Sequence, residues 1–322
     1  MKKIIPIFLG LLFVFLIVEI LLLSPSDLDL VVDKKDGQGL MSNNASADQI
    51  MRGVHLMEAS EGHREWELWS DTAISFKSAN RWELEKVKVI FFSDKGDFTV
   101  TGKKGFINTD TKDLEVHGDV EVHSKNGYVF YTQKTNYISK QKKLISPTSV
   151  KMFGPKDERG FRMNLVGDGL ESLVKTSFIE ILGNVKAVKT VNKDKTINIK
   201  SKRAQLSGAS DFVQFIEDVI MDMNDLRISG NNAKFNYSDD KKLVESIFMK
   251  GNIRASDKDK WATAETATAY LEEDRFTFKG DPRLVQGADE LRGEEIIYLK
   301  GGEEVQVKGA NMKLNNEKSS EE

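Results

Sequence analysis

From Leu114 to Val122 the chain reads LEVHGDVEV, with apolar and polar residues in alternation. Leu114, Val116, Val120 and Val122 share one face of an extended strand, while His117, Asp119, Glu121 and His123 share the other. Gly118 falls on the apolar face where a side chain is missing, which predicts a strand that bends sharply there and keeps its register. The same pattern recurs as IEILGNVKA from Ile179 to Ala187, IFMKGNIRA from Ile247 to Ala255, FTFKGDPRL from Phe276 to Leu284, and VQVKG from Val305 to Gly309.

Aligned on that glycine, the equivalent positions are Glu85, Gly118, Thr148, Gly183, Glu217, Gly251, Gly280 and Gly309, separated by 33, 30, 35, 34, 34, 29 and 29 residues. A period this regular marks a repeat architecture. Between these positions come a polar turn and a second strand, as in Gly127 to Tyr131, Ala233 to Tyr237 and Glu294 to Tyr298. Each unit is a strand pair that cannot bury its apolar face alone and must stack on its neighbours. The predicted fold is all-β: an elongated, twisted antiparallel β-jellyroll or solenoid-like stack of strand pairs, folded over at inward glycines, with open ends. Upstream, Trp66 and Leu68 share a strand face and Trp69 takes the opposite one, which predicts a strand covered on both sides.

The N-terminus follows a different rule. Ile4 to Leu23 is an apolar run broken only by Pro6, Gly10 and Glu19. At about 1.5 Å per residue it spans roughly 30 Å, the depth of a hydrocarbon core. Lys2 and Lys3 set its N-terminus in the cytoplasm and send the body outward. A cleaved signal peptide is the alternative, but LLLSP from Leu21 to Pro25 offers no small-x-small cleavage pattern. Residues 1–23 therefore read as an uncleaved transmembrane anchor. Glu19 lies near the outer end, within reach of the headgroups or of a partner's membrane helices. Residues 24–47, with their aspartates, glycines and Ser42-Asn43-Asn44, read as a linker with one short strand at Leu28 to Val32.

Composition narrows the functions. Of 322 residues, 39% are apolar and 30% charged, as expected of an ordered body behind the anchor. A net charge of −3, with both signs interspersed, argues against nucleic-acid binding. Without cysteine there is no disulfide, thiolate metal site or cysteine nucleophile. His117, Asp119, Glu121 and His123 form the most enzyme-like group, but no other repeat carries the histidines, and a solvated strand face accounts for them. The Gly96 to Lys103 segment has the wrong spacing for a phosphate loop, and neither G-x-S-x-G nor H-E-x-x-H occurs. No catalytic residue, metal or cofactor is expected.

An N-terminal anchor, a glycine followed by Trp66-x-Leu68 and Ala73, and LEVHGDVEV together resemble the LptC family, the membrane-anchored periplasmic component of lipopolysaccharide export. The resemblance runs over about residues 1–189 and includes the Gly160 to Leu170 segment and IEILGNVKA. From about Thr190 to Gly309 the repeats, above all Gly280 with Leu291-Arg292-Gly293-Glu294, look like the soluble OstA or LptA-like bridge domain. The resemblance divides the body into an LptC-like β-jellyroll domain at 48–189 and an OstA/LptA-like one at 190–310, with a disordered tail at 311–322. It implies an inner-membrane, single-pass protein with a periplasmic body. Its implied partners are lipopolysaccharide, the inner-membrane ABC transporter of the export system and a further OstA-like bridge protein pairing on an edge strand.

The family's groove holds acyl chains, and strand parity offers Val87, Val89, Leu114, Val116, Val120, Val122, Ile179, Ile181, Val185, Ile247, Met249, Ile253, Phe276 and Phe278 as its lining. A groove and a closed core are chemically alike in sequence. A membrane-anchored structural or adhesive β-solenoid with a closed core and no lipid cargo is the competing reading.

Overall fold

The computed structural model describes residues 49–60, 62–207, 212–238, 243–299 and 303–313. The anchor, Glu19, the linker with its strand at Leu28 to Val32, and residues 314–322 of the expected tail lie outside the described residues. The described residues belong to one compact unit that starts at Ser46.

Among the described residues all 22 strands join one sheet, and every pairing is antiparallel. Uncut neighbours in sequence pair in turn, from Gln49–Ser60 on His63–Phe76 onward, and cut strands pair by halves, Lys143–Ser146 with Gly169–Leu173 and Val150–Phe153 with Met163–Gly167. Three single 3-10 turns, at Lys77–Ala79, Ser139–Gln141 and Val174–Thr176, are the only helical segments among the described residues. Several long strands run through a bend, whereas others are cut in two there. Lys143–Ser146 and Val150–Phe153 flank Pro147, while Arg275–Lys279 and Arg283–Gln286 flank Gly280, Asp281 and Pro282. Proline cannot donate to the ladder, so pairing lapses at both places. The pairing does not lapse between residues 189 and 190, because Lys189 pairs with Ile197 and Thr190 with Thr196.

At six of the eight predicted bend positions the backbone turns left-handed; at Glu85 the next residue, Lys86, does so instead, and Thr148, beside Pro147, does not. Gly118 and Asp119 have φ of 80° and 49°, Gly183 and Asn184 68° and 44°, Glu217 and Asp218 65° and 52°, and Gly251 and Asn252 82° and 53°. Two consecutive left-handed residues form a bulge that creases the strand. Parity survives the crease, since Val116 and Val120 are both buried. Register does not. Between His117 and Val120 two residues face one on the next strand, because His117 pairs with Lys134 and Val120 with Thr132.

The glycines also point the other way from the expectation. A Cβ on Gly118 would lie 3.1 Å from the Lys103 side chain, and one on Gly183 2.6 Å from Asp168 Oδ2, both on the outer surface. The left-handed conformation turns the missing side chain outward, so these glycines are not the small residues of the interior.

Creasing divides the strands into two layers whose inner faces meet, as where the Phe91 and Tyr137 rings lie 4.6 Å apart. The layer edges touch through polar contacts: Ser93 Oγ with Ser177 Oγ at 3.3 Å, Lys195 Nζ with Asp274 at 2.8 Å, and Arg159 with Glu272 at 2.9 Å. Trp66 and Leu68 are buried, whereas Trp69 lies on the outer face under the His55 ring at 4.7 Å, with the Lys88 ammonium 5.5 Å from its centroid.

Candidate functional site

The interior is built by register. Leu56 pairs with Leu68, Leu68 with Val89, Val89 with Val100, Val100 with Val122, and Val122 with Phe130. The row continues through Met152, Leu165, Ala187, Ile199, Met221, Ile228, Ala255, Ala262 and Leu284 to Leu291. Every step is a direct cross-strand pair, and every member is apolar. Side chains on directly opposite residues lie about 4.5–5.5 Å apart, so the row is one continuous strip.

A second row crosses the other layer. It runs Trp82, Ile107, Leu114, Tyr137, Leu144, Ser172, Ile179, Leu206, Val213, Phe235, Ile247, Ala269, Phe276, Tyr298 and Val305. Its one small polar member is Ser172. Neither row is interrupted near residue 190.

The parity-chosen residues lie along these rows or beside them. Val89 and Val122 are in the first row, and Leu114, Ile179, Ile247 and Phe276 in the second. Val116, Ile181, Met249 and Phe278 stand two positions nearer the crease. Thirteen of the fourteen are buried, and Val122 is half-buried against the core.

Val87, Val120, Val185 and Ile253 follow the creases, and they expose a feature that sequence reasoning missed. They pair with Gly102, Thr132, Ser201 and Ala264. Each post-crease apolar residue thus faces a small one. A Cβ on Gly102 would lie 2.5 Å from Val116 Cγ1, on Gly167 2.4 Å from Ile181 Cγ2, and on Gly230 2.7 Å from Ile253 Cδ1. The neighbouring branched side chains fill the missing volume. Where serine takes the place, its hydroxyl is used by the bent backbone. Ser70 Oγ donates to Glu85 O at 2.7 Å, and Ser201 Oγ to Arg203 O at 2.8 Å. The series Ser70, Gly102, Thr132, Gly167, Ser201, Gly230, Ala264 and Gly293 has the repeat's own period and was readable as a second alignment.

The outer face holds most of the charges. Asp119 is clamped by Lys103 at 2.5 Å, and the Lys103 hydrogen bond holds its carboxyl below the ordinary value of 3.8. His123 Nε2 lies 2.6 Å from Glu121, and the His117 ring stacks on Phe106 at 5.2 Å. Among the described residues no group of three or more His, Asp or Glu is placed to hold a metal. Also among them, no helix is long and apolar enough to cross a membrane.

The family described as lipopolysaccharide-assembly, LptC-related, matches residues 9–190, and the one described as LptA/(LptD N-terminal domain) LPS transport protein matches residues 198–318. No curated protein matches the chain. Among solved structures, LptH, the LptA-homologous periplasmic component of the lipopolysaccharide transport device of Pseudomonas aeruginosa, aligns with 14% identity and a TM-score of 0.35, over 39% of this chain and 100% of its own.

Proposed function

The chain belongs to the lipopolysaccharide-assembly, LptC-related family, and on that premise we propose that it carries lipopolysaccharide along the inner face of its creased sheet. Lipopolysaccharide transport is the function both family regions share, and it leaves the adhesive-solenoid reading without support. The observation that carries the detailed reading is the pair of rows crossing from one family region to the other. Exposing an acyl chain of about a dozen carbons to water costs roughly 10 kcal/mol at about 0.8 kcal/mol per CH₂. A strip that is apolar at every step lowers that barrier without holding the chain tightly anywhere. The interior side chains are buried against one another, so an acyl chain enters by parting the two layers.

In this reading residues 48–189 receive lipid and residues 190–310 pass it on, with residues 1–23 as a single-pass inner-membrane anchor and the body in the periplasm. The protein is a conduit and performs no catalysis. The sequence carries no phosphate loop, so the work of directional transport falls to the ABC transporter beside the anchor. Among the described residues Gln49–Ser60 pairs on one side only, with His63–Phe76, and its far edge suits strand addition by a partner domain. The short strands Glu304–Lys308 and Asn311–Lys313 close the other end and suit a further OstA-like bridge protein.

A compact diazirine photocrosslinker at Val120, introduced in cells, tests the reading. Lipopolysaccharide adducts at Val120 and few at the neighbouring outward Glu121 are expected. Adducts at Glu121 alone would contradict it.

A further inference from the structure

Among the described residues two strand residues carry charge onto the inner face: Asp257, which accepts from the Tyr298 hydroxyl, and Lys189. Lys189 has the parity of Val185 and Ala187, pairs with Met163 on one side and Ile197 on the other, and its side chain is 4% exposed. Its cross-strand neighbours are apolar, and a lysine there has to bring its own counter-charge. Asp157 supplies it at 2.7 Å, with a side chain 2% exposed. The carboxylate is spent in turn. Asp157 Oδ2 accepts from Lys189 Nζ, and Oδ1 accepts the backbone N–H groups of Arg159 and Phe161 at 3.0 and 2.9 Å.

A buried ion pair seldom stabilises a fold more than apolar residues of the same volume would. Its presence in a mostly apolar face calls for a use. The pair borders a small recess of about 30 Å³, open to solvent and lined by Tyr128, Met163 and Lys189 on one side and Val213 and Tyr237 on the other. The recess lies where the two family regions meet, since Met163 and Lys189 belong to the first and Val213 and Tyr237 to the second. Burial pushes the Tyr237 hydroxyl well above its ordinary pKa, so it is a neutral donor. Among the described residues it has no hydrogen-bond partner, and Lys189 spends one N–H on Asp157.

We propose that this recess is a subsite for the carbonyl at the root of an ester- or amide-linked acyl chain, positioned at the handover between the two regions. The argument rests on the conduit reading above. The apolar walls take the chain, and the Tyr237 hydroxyl and the spare Lys189 N–H groups offer donors to an acceptor. The acceptor is neutral because the Lys189–Asp157 pair already balances its charge. A second anion would have to displace a carboxylate held by two backbone N–H groups. Such a subsite gives the lipid one preferred stop on an otherwise even strip.

The test places a diazirine photocrosslinker at Met163 of the full-length chain in cells, with the same label at Val120 as reference, and identifies adducts by mass. Lipopolysaccharide adducts are expected at both positions. Tyr237→Phe, which deletes only a hydroxyl, is expected to lower the Met163 yield at least five-fold and leave the Val120 yield unchanged. The double variant Asp157→Asn, Lys189→Met should do the same without leaving a buried charge unpaired. An unchanged Met163 yield in Tyr237→Phe, an equal fall at both positions, or a phospholipid adduct at Met163 would overturn the subsite. Absence of any adduct at Val120 in the otherwise unaltered chain would overturn the conduit reading itself.

Discussion

Two creases, one in each family region, reach the same bend by different chemistry. In Leu114–Ser124 the left-handed pair is Gly118 and Asp119, and glycine adopts that conformation without strain. In Phe212–Met223 it is Glu217 and Asp218, two residues for which left-handed backbone costs energy. The neighbouring strand reaches both bends from outside, through Lys103 on Asp119 in the first and through two cations in the second. Lys202 lies 2.8 Å from Asp218, and Arg203 Nε donates to Glu217 at 3.0 Å. The glycine is thus one means to the crease, and a left-handed pair of other residues opposite a small inward one serves as well. That explains why Glu217 keeps the period without a glycine, whereas at Glu85 the next residue, Lys86, alone turns left-handed.

The comparison can be broken from the inside first. Gly167→Val would place a Cβ 2.4 Å from Ile181 Cγ2 and 3.1 Å from Leu182 O. Overpacking of this kind costs about 1–3 kcal/mol, more where a backbone atom is struck. A fall of that size in the free energy from urea unfolding is expected, the largest of this series. Gly118→Glu copies the second crease into the first. With φ at 80° and Lys103 already engaged by Asp119, it should cost about 1–2 kcal/mol.

The reverse change sharpens the contrast. Glu217→Gly relieves left-handed strain and gives up an exposed ion pair worth about 0–1 kcal/mol. A net change within about 1 kcal/mol of zero, on the stabilising side, is expected in the same measurement. A loss beyond about 1 kcal/mol would mean that the clamp, and not the backbone, sets that crease. The smallest effect concerns pH. The Asp119 carboxyl is held below 3.8 when folded, so its contribution is complete above that value and is lost as pH falls through the lowered one. Lys103→Met should flatten the acid limb of the stability profile below about pH 4, with a slight loss of stability near neutrality that vanishes at the acid end.

Much of the interior was legible because alternation and period are both properties of sequence. Parity on either side of Gly118 gave Leu114, Val116 and Val120 as inward before any contact was known, and the spacing gave the creases. The facing of the glycines was not legible. Alternation assumes extended backbone, and two left-handed residues break that assumption just where Gly118 sits. Lys189 could have been found, since it continues the parity of Val185 and Ala187. Asp157 could not, because it reaches Lys189 from a loop 32 residues away, and no period links them. The small residues from Ser70 to Gly293 were visible as a second periodic series. They carry no apolar signal of their own, and attention to apolar faces passed over them.

The central claim is that one apolar strip serves both regions. The most direct measurement labels Ile181, in the first region, and Ile247, in the second, with the same compact photocrosslinker and compares lipopolysaccharide adducts in cells. Adducts at both positions are predicted, in comparable yield. An adduct at Ile181 with none at Ile247 would contradict the account, because the lipid would then leave the sheet before the second region.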